Sequence, residues 1–268
     1  MWAVLRPLVG LEDVIFEETV PQLSVRIRFY PVSTGPTQWG PLIEHRLLGA
    51  AFIMCGIVGY VGARDATEFL VEGLRRLEYR GYDSAGIGTI TPSGDLAIMK
   101  TPGRIDALAQ EISHASALEG SIGIGHTRWA THGPATQENA HPHANPAHAI
   151  AVVHNGVIEN YRLLKDRLIE EGHEFVSATD SEVIVHLIED CLAAVSEQMT
   201  ADDEAIEPHE LLLRAVTEAV GYLQGTYGLV VLFRDHPDVM IAARLGSPLV
   251  LGIGQGEPLQ KIGDMTGL

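Results

Sequence analysis

Cysteine is nearly missing from this chain: its 268 residues contain only Cys55 and Cys191. Two cysteines cannot form a disulfide framework, so a reducing compartment is expected and the chain reads as cytoplasmic. Basic residues are also scarce, with 18 Lys and Arg against 35 Asp and Glu and a formal net charge of −17. Nucleic acids and anionic membranes are held by clustered Lys and Arg, so neither is expected as a partner. Long hydrophobic runs are missing as well. The most apolar stretch, residues 47–61, is shorter than the ~20 residues of a membrane span and is interrupted by glycine. It lies too far from the terminus, and lacks the basic leader, for a secretory signal. There is no internal repeat or low-complexity tract. A hydrophobic content of 46% is that of a globular chain with a sizeable core.

The pattern along the chain is uneven. Residues 1–53 show short strand candidates at Val14–Phe16 and Val25–Phe29, then Pro31, Gly35, Pro36, Gly40 and Pro41. No motif occurs there. From Cys55 onward the periodicities sharpen. Gly56–Val61 reads as a strand, and Asp65–Glu78 as an amphipathic helix with Ala66, Leu70, Leu74 and Leu77 on one face. Ala85–Ile90 and Leu96–Lys100 flank a turn, Thr91-Pro92-Ser93-Gly94-Asp95, and read as a hairpin. Ser121–His126 and Ile150–His154 read as buried strands. Asn160 is placed to cap a helix that ends at Gly172, and Thr179-Asp180-Ser181-Glu182 has capping-box spacing before a helix to about Ser196. Cys191 shares that helix's apolar face with Ile184, Leu187 and Ile188, so it reads as a small core residue. Leu211–Leu223 follows as a helix, then a hairpin from Tyr227 to Arg244 and a strand at Leu249–Gly254. Hairpin-linked strands with helices in runs indicate an α+β class built on antiparallel sheets.

Cys55 stands directly after Met54 and opens the run Cys55-Gly56-Ile57-Val58-Gly59. The thiolate is the nucleophilic form of cysteine, and a free thiol has a pKa of about 8.5, so an attacking cysteine needs a base. A free α-amine, pKa roughly 7.7–8.0, can serve when the cysteine is the first residue; an amide nitrogen cannot. Three further segments are dense in polar groups: Leu77–Gly86, His126–Gly133 followed by Asn139–His143, and His154–Asn160. The second, dense in His, Arg and Trp just beyond a strand end, suggests a loop that grips a substrate, and Asn155-Gly156 after a buried strand suggests an oxyanion hole. Two other readings of these residues stay open. His126, His132, His141, His143 and His154 could ligate a metal, although their spacing matches no zinc motif. Cys55 with a histidine and Asn155 could form a papain-like triad, although a strand rather than a helix follows the cysteine.

Taken together, Cys55–Gly59, Arg75–Gly86, His126–Gly133 and Val153–Asn160 make the chain from Cys55 to about Glu257 resemble the glutaminase domain of the glucosamine-6-phosphate synthase family. These are class II glutamine amidotransferases with the N-terminal-nucleophile hydrolase fold. The resemblance implies a four-layer α/β/β/α sandwich of two antiparallel sheets. It implies Cys55 as nucleophile, with Asn155 and Gly156 as the oxyanion hole. It also implies Arg128 on the glutamine α-carboxylate, Asp180 on its α-ammonium, and Trp129, Thr131 and His132 in a loop that closes over L-glutamine. Arg80 is implied near the nucleophile. No metal or cofactor is implied.

Residues 1–54 are expected to be a misassigned start or a propeptide, and residues 55–268 a C-terminally truncated amidotransferase domain. Fructose 6-phosphate would be handled only by isomerase domains of the family, which these residues do not match. A homodimer is possible for the full-length family enzyme. The expected activity is hydrolysis of glutamine to glutamate and ammonia for glucosamine 6-phosphate synthesis. The competing expectation is an inactive fragment of that enzyme, because the nucleophile is not N-terminal as written.

Overall fold

The computed structural model describes residues 55–114, 118–130, 132–197, 207–247, 249–250 and 252, and the backbone of residues 14–20 and 23–29. The latter pair, β1 (Val14–Val20) and β2 (Leu23–Phe29), forms an antiparallel hairpin. One four-stranded antiparallel sheet has the order β3 (Gly56–Val61), β6 (Ile122–Arg128), β4 (Ser84–Ile90), β5 (Leu96–Pro102). A second has the order β10 (Met240–Leu245), β9 (Gly225–Phe233), β8 (Ile150–Ile158), β7 (His143–Ala144). Helices α1 (Ala66–Leu77) and α2 (Ile105–Ser113) pack on the first sheet; α3 (Tyr161–Glu170), α4 (Glu182–Glu197) and α5 (Pro208–Gly221) pack on the second. The described body is therefore an α+β sandwich of two sheets between helical layers.

Strand alternation builds these layers. On β8, Ile150 and Val152 face the helices, while Ala151 and Val153 face the other sheet. On β9, Leu229, Val231 and Phe233 join the helical core, and Val230 and Leu232 the inter-sheet core. β6 fills the same inter-sheet core with Ile122 and Ile124. Its other face carries Gly123 and Gly125, and a Cβ there would stand 2.8 Å from Leu70 Cδ1 and 3.0 Å from Leu74 Cδ1. Glycine thus lets α1 lie directly on the sheet. Asp65 starts that helix, its Oδ1 accepting from Thr67 N at 3.3 Å.

Two local readings are corrected by side-chain geometry, and one helix is added. Asn160 precedes α3 without capping it through its side chain; it donates to Tyr222 O at 2.9 Å and accepts from Gln224 N at 2.9 Å, tying α3 to the start of β9. The capping box at 179–182 does not form. Glu182 turns backward to accept from Val176 N (2.9 Å), Ser177 N (2.7 Å) and Ser177 Oγ (2.6 Å), and Thr179 Oγ1 pairs with His143 Nε2 at 3.1 Å. Helix α2 was not anticipated, because its N-cap position is Arg104 and carries no capping bond. Its first N–H, that of Ile105, is instead satisfied by the distant Glu78 Oε1 at 2.9 Å. Cys191 is buried among Ile184, Leu187 and Ile188 as expected. Of the strand expected at 249–254, residues 251, 253 and 254 lie outside the described residues, and residues 249, 250 and 252 are not in a strand.

Gly86 offers a test of this packing. A Cβ there would lie 2.1 Å from His141 O and 2.9 Å from Met99 O, both backbone atoms that cannot rotate away. Gly86→Ala is expected to destabilise the fold by about 1–3 kcal/mol, the usual cost of overpacking. The denaturant midpoint of the variant measures it.

Candidate active site

The site forms where β3, β6 and β8 end together. Gly56 pairs with Thr127 and Ala85 also pairs with Thr127, so Cys55 and Arg128 lie at the same margin of the first sheet. Asn155 lies on the second sheet opposite Gly228. Continuing the alternation Ile122, Ile124, His126 places His126 on the inter-sheet face of β6; continuing Ala151, Val153, Asn155 does the same on β8. The two side chains meet there, His126 Nε2 standing 2.8 Å from Asn155 Oδ1. Asn155 Nδ2 donates to Cys55 O at 3.0 Å. A carbonyl can only accept, so the amide nitrogen must face Cys55 and its oxygen must face His126, which therefore donates from Nε2. Burial pushes His126 down to about 3, so the ring is neutral at physiological pH.

Cys55 is half-buried, and among the described residues its sulfur has two polar partners, both on the backbone of Trp129. Trp129 N donates to Sγ at 3.2 Å, and Sγ lies 3.6 Å from Trp129 O. Burial pushes the thiol above its ordinary value and Asp83 adds to that; the Trp129 N–H and the Arg128 charge act in the opposite direction. The Cys55 thiol is therefore protonated near neutrality and requires a base. His126 is committed to Asn155 rather than to sulfur, which removes the basis for a papain-like triad.

Arg128, 4% exposed, directs its guanidinium into its own loop: Nη1 donates to Pro134 O at 3.1 Å, and Nη2 to Gly133 O at 3.2 Å and to His132 O. Asp83 binds Ala130 N, accepts from Ser84 Oγ at 3.0 Å and donates its own N–H to Arg128 O at 3.1 Å. Trp129 stacks edge-on against Tyr82, with ring centroids 5.4 Å apart. His132 lies edge-on to Tyr161 at 5.3 Å, with Nδ1 3.8 Å from Asp180 Oδ1. Asp180 is buried, and its Oδ2 accepts from Ile158 N at 2.8 Å. Gly156 has φ +140°, and a Cβ there would meet Thr226 O at 2.0 Å, so only glycine fits.

The structure thus gathers Cys55, Asn155, Trp129 and Arg128 by direct or one-step contacts, with Gly156 next to Asn155, and links His132 to Asp180. Arg80 stands on a short 3-10 turn (Glu78–Arg80), where its Nε donates to Tyr79 OH at 3.0 Å rather than to Cys55. Thr131 lies outside the described residues. Sequence reasoning missed the Asn155-orienting role of His126 and the bracing role of Asp83. The inter-sheet parity of Ile122, Ile124 and His126 was the signal for the former.

His141 and His143 extend the cluster, with ring centroids 4.1 Å from His126 to His141 and 4.6 Å from His141 to His143. His154 faces the other way, with Nδ1 2.8 Å from Ser181 Oγ. With His143 on Thr179, it tethers the segment that carries Asp180.

A glutamine amidotransferase domain model matches residues 112–201. The glutamine–fructose-6-phosphate aminotransferase (isomerizing) of Thermus thermophilus is 50% identical over 204 residues, covering 76% of this chain and 31% of the relative. The enzyme of the same name from Pyrococcus horikoshii is also 50% identical over 204 residues, with the same shares of the two chains covered. The chain thus spans about a third of the length of these relatives. Among solved structures, the glutamine phosphoribosylpyrophosphate amidotransferase of B. subtilis, complexed with ADP and GMP, matches at TM-score 0.51 and 26% identity, over 66% of this chain and 35% of that one. A structure described as the allosteric regulatory enzyme of purine biosynthesis matches at TM-score 0.53 and 27% identity, over the same shares.

The buried histidines set the acid response. Burial lowers the pKa values of His126, His141, His143 and His154, so the unfolded chain takes up protons that the folded chain refuses. Stability is then full above the unfolded value of about 6.5 and falls as pH drops below it, by up to about 1.4 kcal/mol per pH unit for each histidine. Denaturant unfolding at pH 7.5 and pH 5 should show a loss of several kcal/mol, and His141→Phe should make it shallower. With its nucleophile candidate, its inter-sheet amide and these relatives, the chain carries a glutamine amidotransferase domain, and over 204 residues it is similar to part of the glutamine–fructose-6-phosphate aminotransferases.

Proposed function

We propose that this domain hydrolyses L-glutamine to glutamate and ammonia through a thioester on Cys55, and that the ammonia serves aminotransfer to fructose 6-phosphate, as the relatives' name describes. The observation that carries this reading is the Asn155 amide fixed against Cys55 by His126. An amide nitrogen has two hydrogens, and one is engaged by Cys55 O. The second is a donor for the oxygen of the carbonyl that the sulfur attacks, with Gly156 N–H as its partner.

In the proposed course the α-amine of Cys55 takes the thiol proton, and the sulfur adds to the glutamine side-chain carbon. The tetrahedral oxyanion collapses, the C–N bond breaks, and the leaving nitrogen takes the proton from the α-ammonium and departs as ammonia. Water then cleaves the thioester to glutamate, with the amine again as base. Asp180 Oδ1 is the proposed acceptor for the substrate ammonium. Arg128 is the proposed partner of its carboxylate, which requires at least one of its loop carbonyls to be exchanged for substrate.

The base assignment gives the direct test. A form whose first residue is Cys55 is expected to hydrolyse glutamine, and the form that begins at Met1 is expected to be inactive, because its Cys55 nitrogen is an amide. N-terminal sequencing of both forms beside a glutamate assay checks it; equal rates would remove the amine from the mechanism.

Two substitutions separate binding from turnover. Arg128→Ala is expected to raise KM for glutamine, since a charged hydrogen bond contributes about 1.5–3 kcal/mol. Asn155→Ala is expected to lower kcat by about 10²–10³ with a smaller effect on KM, because its donor acts on charge that develops in the transition state. Steady-state kinetics of the Cys55-start form measures both. A raised KM with kcat intact for Asn155→Ala contradicts the oxyanion role.

A further inference from the structure

Away from the cysteine, at the junction of α3 and α4, His173, His186 and Glu189 bring three ligand atoms together. His173 Nδ1 and His186 Nδ1 are 3.0 Å apart, and Glu189 Oε2 is 3.9 Å from the first and 3.8 Å from the second. The point equidistant from these three atoms, in their own plane, lies about 2.1 Å from each. Zinc–nitrogen bonds are about 2.0–2.1 Å and zinc–carboxylate bonds about 2.0–2.2 Å. From these separations we propose that His173, His186 and Glu189 form a binding site for a borderline divalent cation, zinc above all.

The surroundings fit ligands rather than a chance encounter. His173 is oriented through its other nitrogen, with Nε2 2.7 Å from Asp190 Oδ1. A carboxylate on the far nitrogen is the usual support of a metal-bound imidazole. Glu189 is held through its second oxygen, which accepts from Asn145 Nδ2 at 2.7 Å. Asn145 is itself fixed, its Oδ1 accepting from Ala149 N at 2.8 Å and Ile150 N at 2.9 Å. His186 and Glu189 are three residues apart on α4 and so share a face. His173 is held beside them by the end of α3, where Gly172 has φ +100° and His173 N donates to Leu168 O at 2.9 Å. Beside the ligands opens a cavity of about 410 Å³, lined by His173, Glu189, Glu171, Gly172, Glu174 and Pro146 among others. It is open to solvent beside His173 and Glu189, two of the three ligands. Its two further carboxylates favour a cation.

Two histidines and one carboxylate with an open position suit zinc better than magnesium or calcium, which take oxygen ligands. A cation here would clamp the 171–181 connection, which leads to Asp180, onto α4. The site is independent of the glutaminase reading and stands or falls separately.

The test is zinc titration of the full chain by calorimetry, with Cys55→Ser in every sample to remove a competing thiol. Metal content after gel filtration and unfolding temperature are measured in parallel. One zinc per chain is expected, with an unfolding temperature that rises as zinc is added. Glu189→Gln and, separately, His173→Ala should each weaken zinc at least about tenfold, the smaller end of what even outer-shell changes produce. Glu189→Gln keeps the side-chain shape, so its far-ultraviolet circular dichroism should match the parent's and separate lost binding from lost folding. Failure of the parent to take up zinc, or uptake unaffected by both substitutions, overturns the site.

Discussion

The Asn155 amide is held from two sides by the opposite sheet: His126 on β6 donates to its oxygen, and Cys55 at the start of β3 accepts from its nitrogen. This bridge needs both sheets in register, since a slip of one residue on β6 or β8 would turn His126 or Asn155 toward the helices. The inter-sheet core of Ile122, Ile124, Ala151, Val153, Val230 and Leu232 therefore does more than stabilise the sandwich. It fixes the relative height of the two strands whose ends make the site. Dryness at His126 keeps the ring neutral, so the donor that orients Asn155 does not become a second buried charge beside Arg128.

The loop that follows β6 is held by the same economy of few, buried contacts. Arg128 gathers the carbonyls of residues 132–134, and Asp83 takes the N–H of Ala130 from the other side. Trp129 thereby presents both its N–H and its carbonyl to the cysteine sulfur. A guanidinium already engaged with carbonyls is not an open receptor for a carboxylate. If Arg128 receives the substrate carboxylate as proposed, at least one of its bonds to the carbonyls of His132, Gly133 and Pro134 must be given up, close to where His132 faces Asp180.

Much of this was legible before any coordinates. Turn residues between apolar runs placed the hairpins of β4–β5 (Thr91-Pro92-Ser93-Gly94-Asp95) and β9–β10 (Asp235-His236-Pro237-Asp238), and the Asn-Gly pair after a buried strand marked the oxyanion candidate. What escaped was non-local. Helix α2 is started by Glu78, 27 residues earlier, so no capping signal stands next to it. The residues at 179–182 have the spacing of a capping box, but burial offers Glu182 the N–H groups of 176 and 177 and offers Thr179 a histidine from β7. Local preference lost to tertiary partners there. The pairing of His173 with His186 is invisible in sequence because one member follows α3 and the other lies in α4. The role of His126 was within reach of the sequence, since His126 shares one face of its strand with Ile122 and Ile124.

The central claim is that Cys55 becomes covalently bonded to the glutamyl group, with Asn155 receiving the oxyanion. The most direct measurement is rapid quenching of the Cys55-start protein with glutamine, followed by peptide mass spectrometry. A γ-glutamyl thioester on the peptide that contains Cys55, diminished when Asn155 is replaced by alanine, is the predicted result. Turnover without an adduct on Cys55, or an adduct on Cys191 instead, would contradict the account.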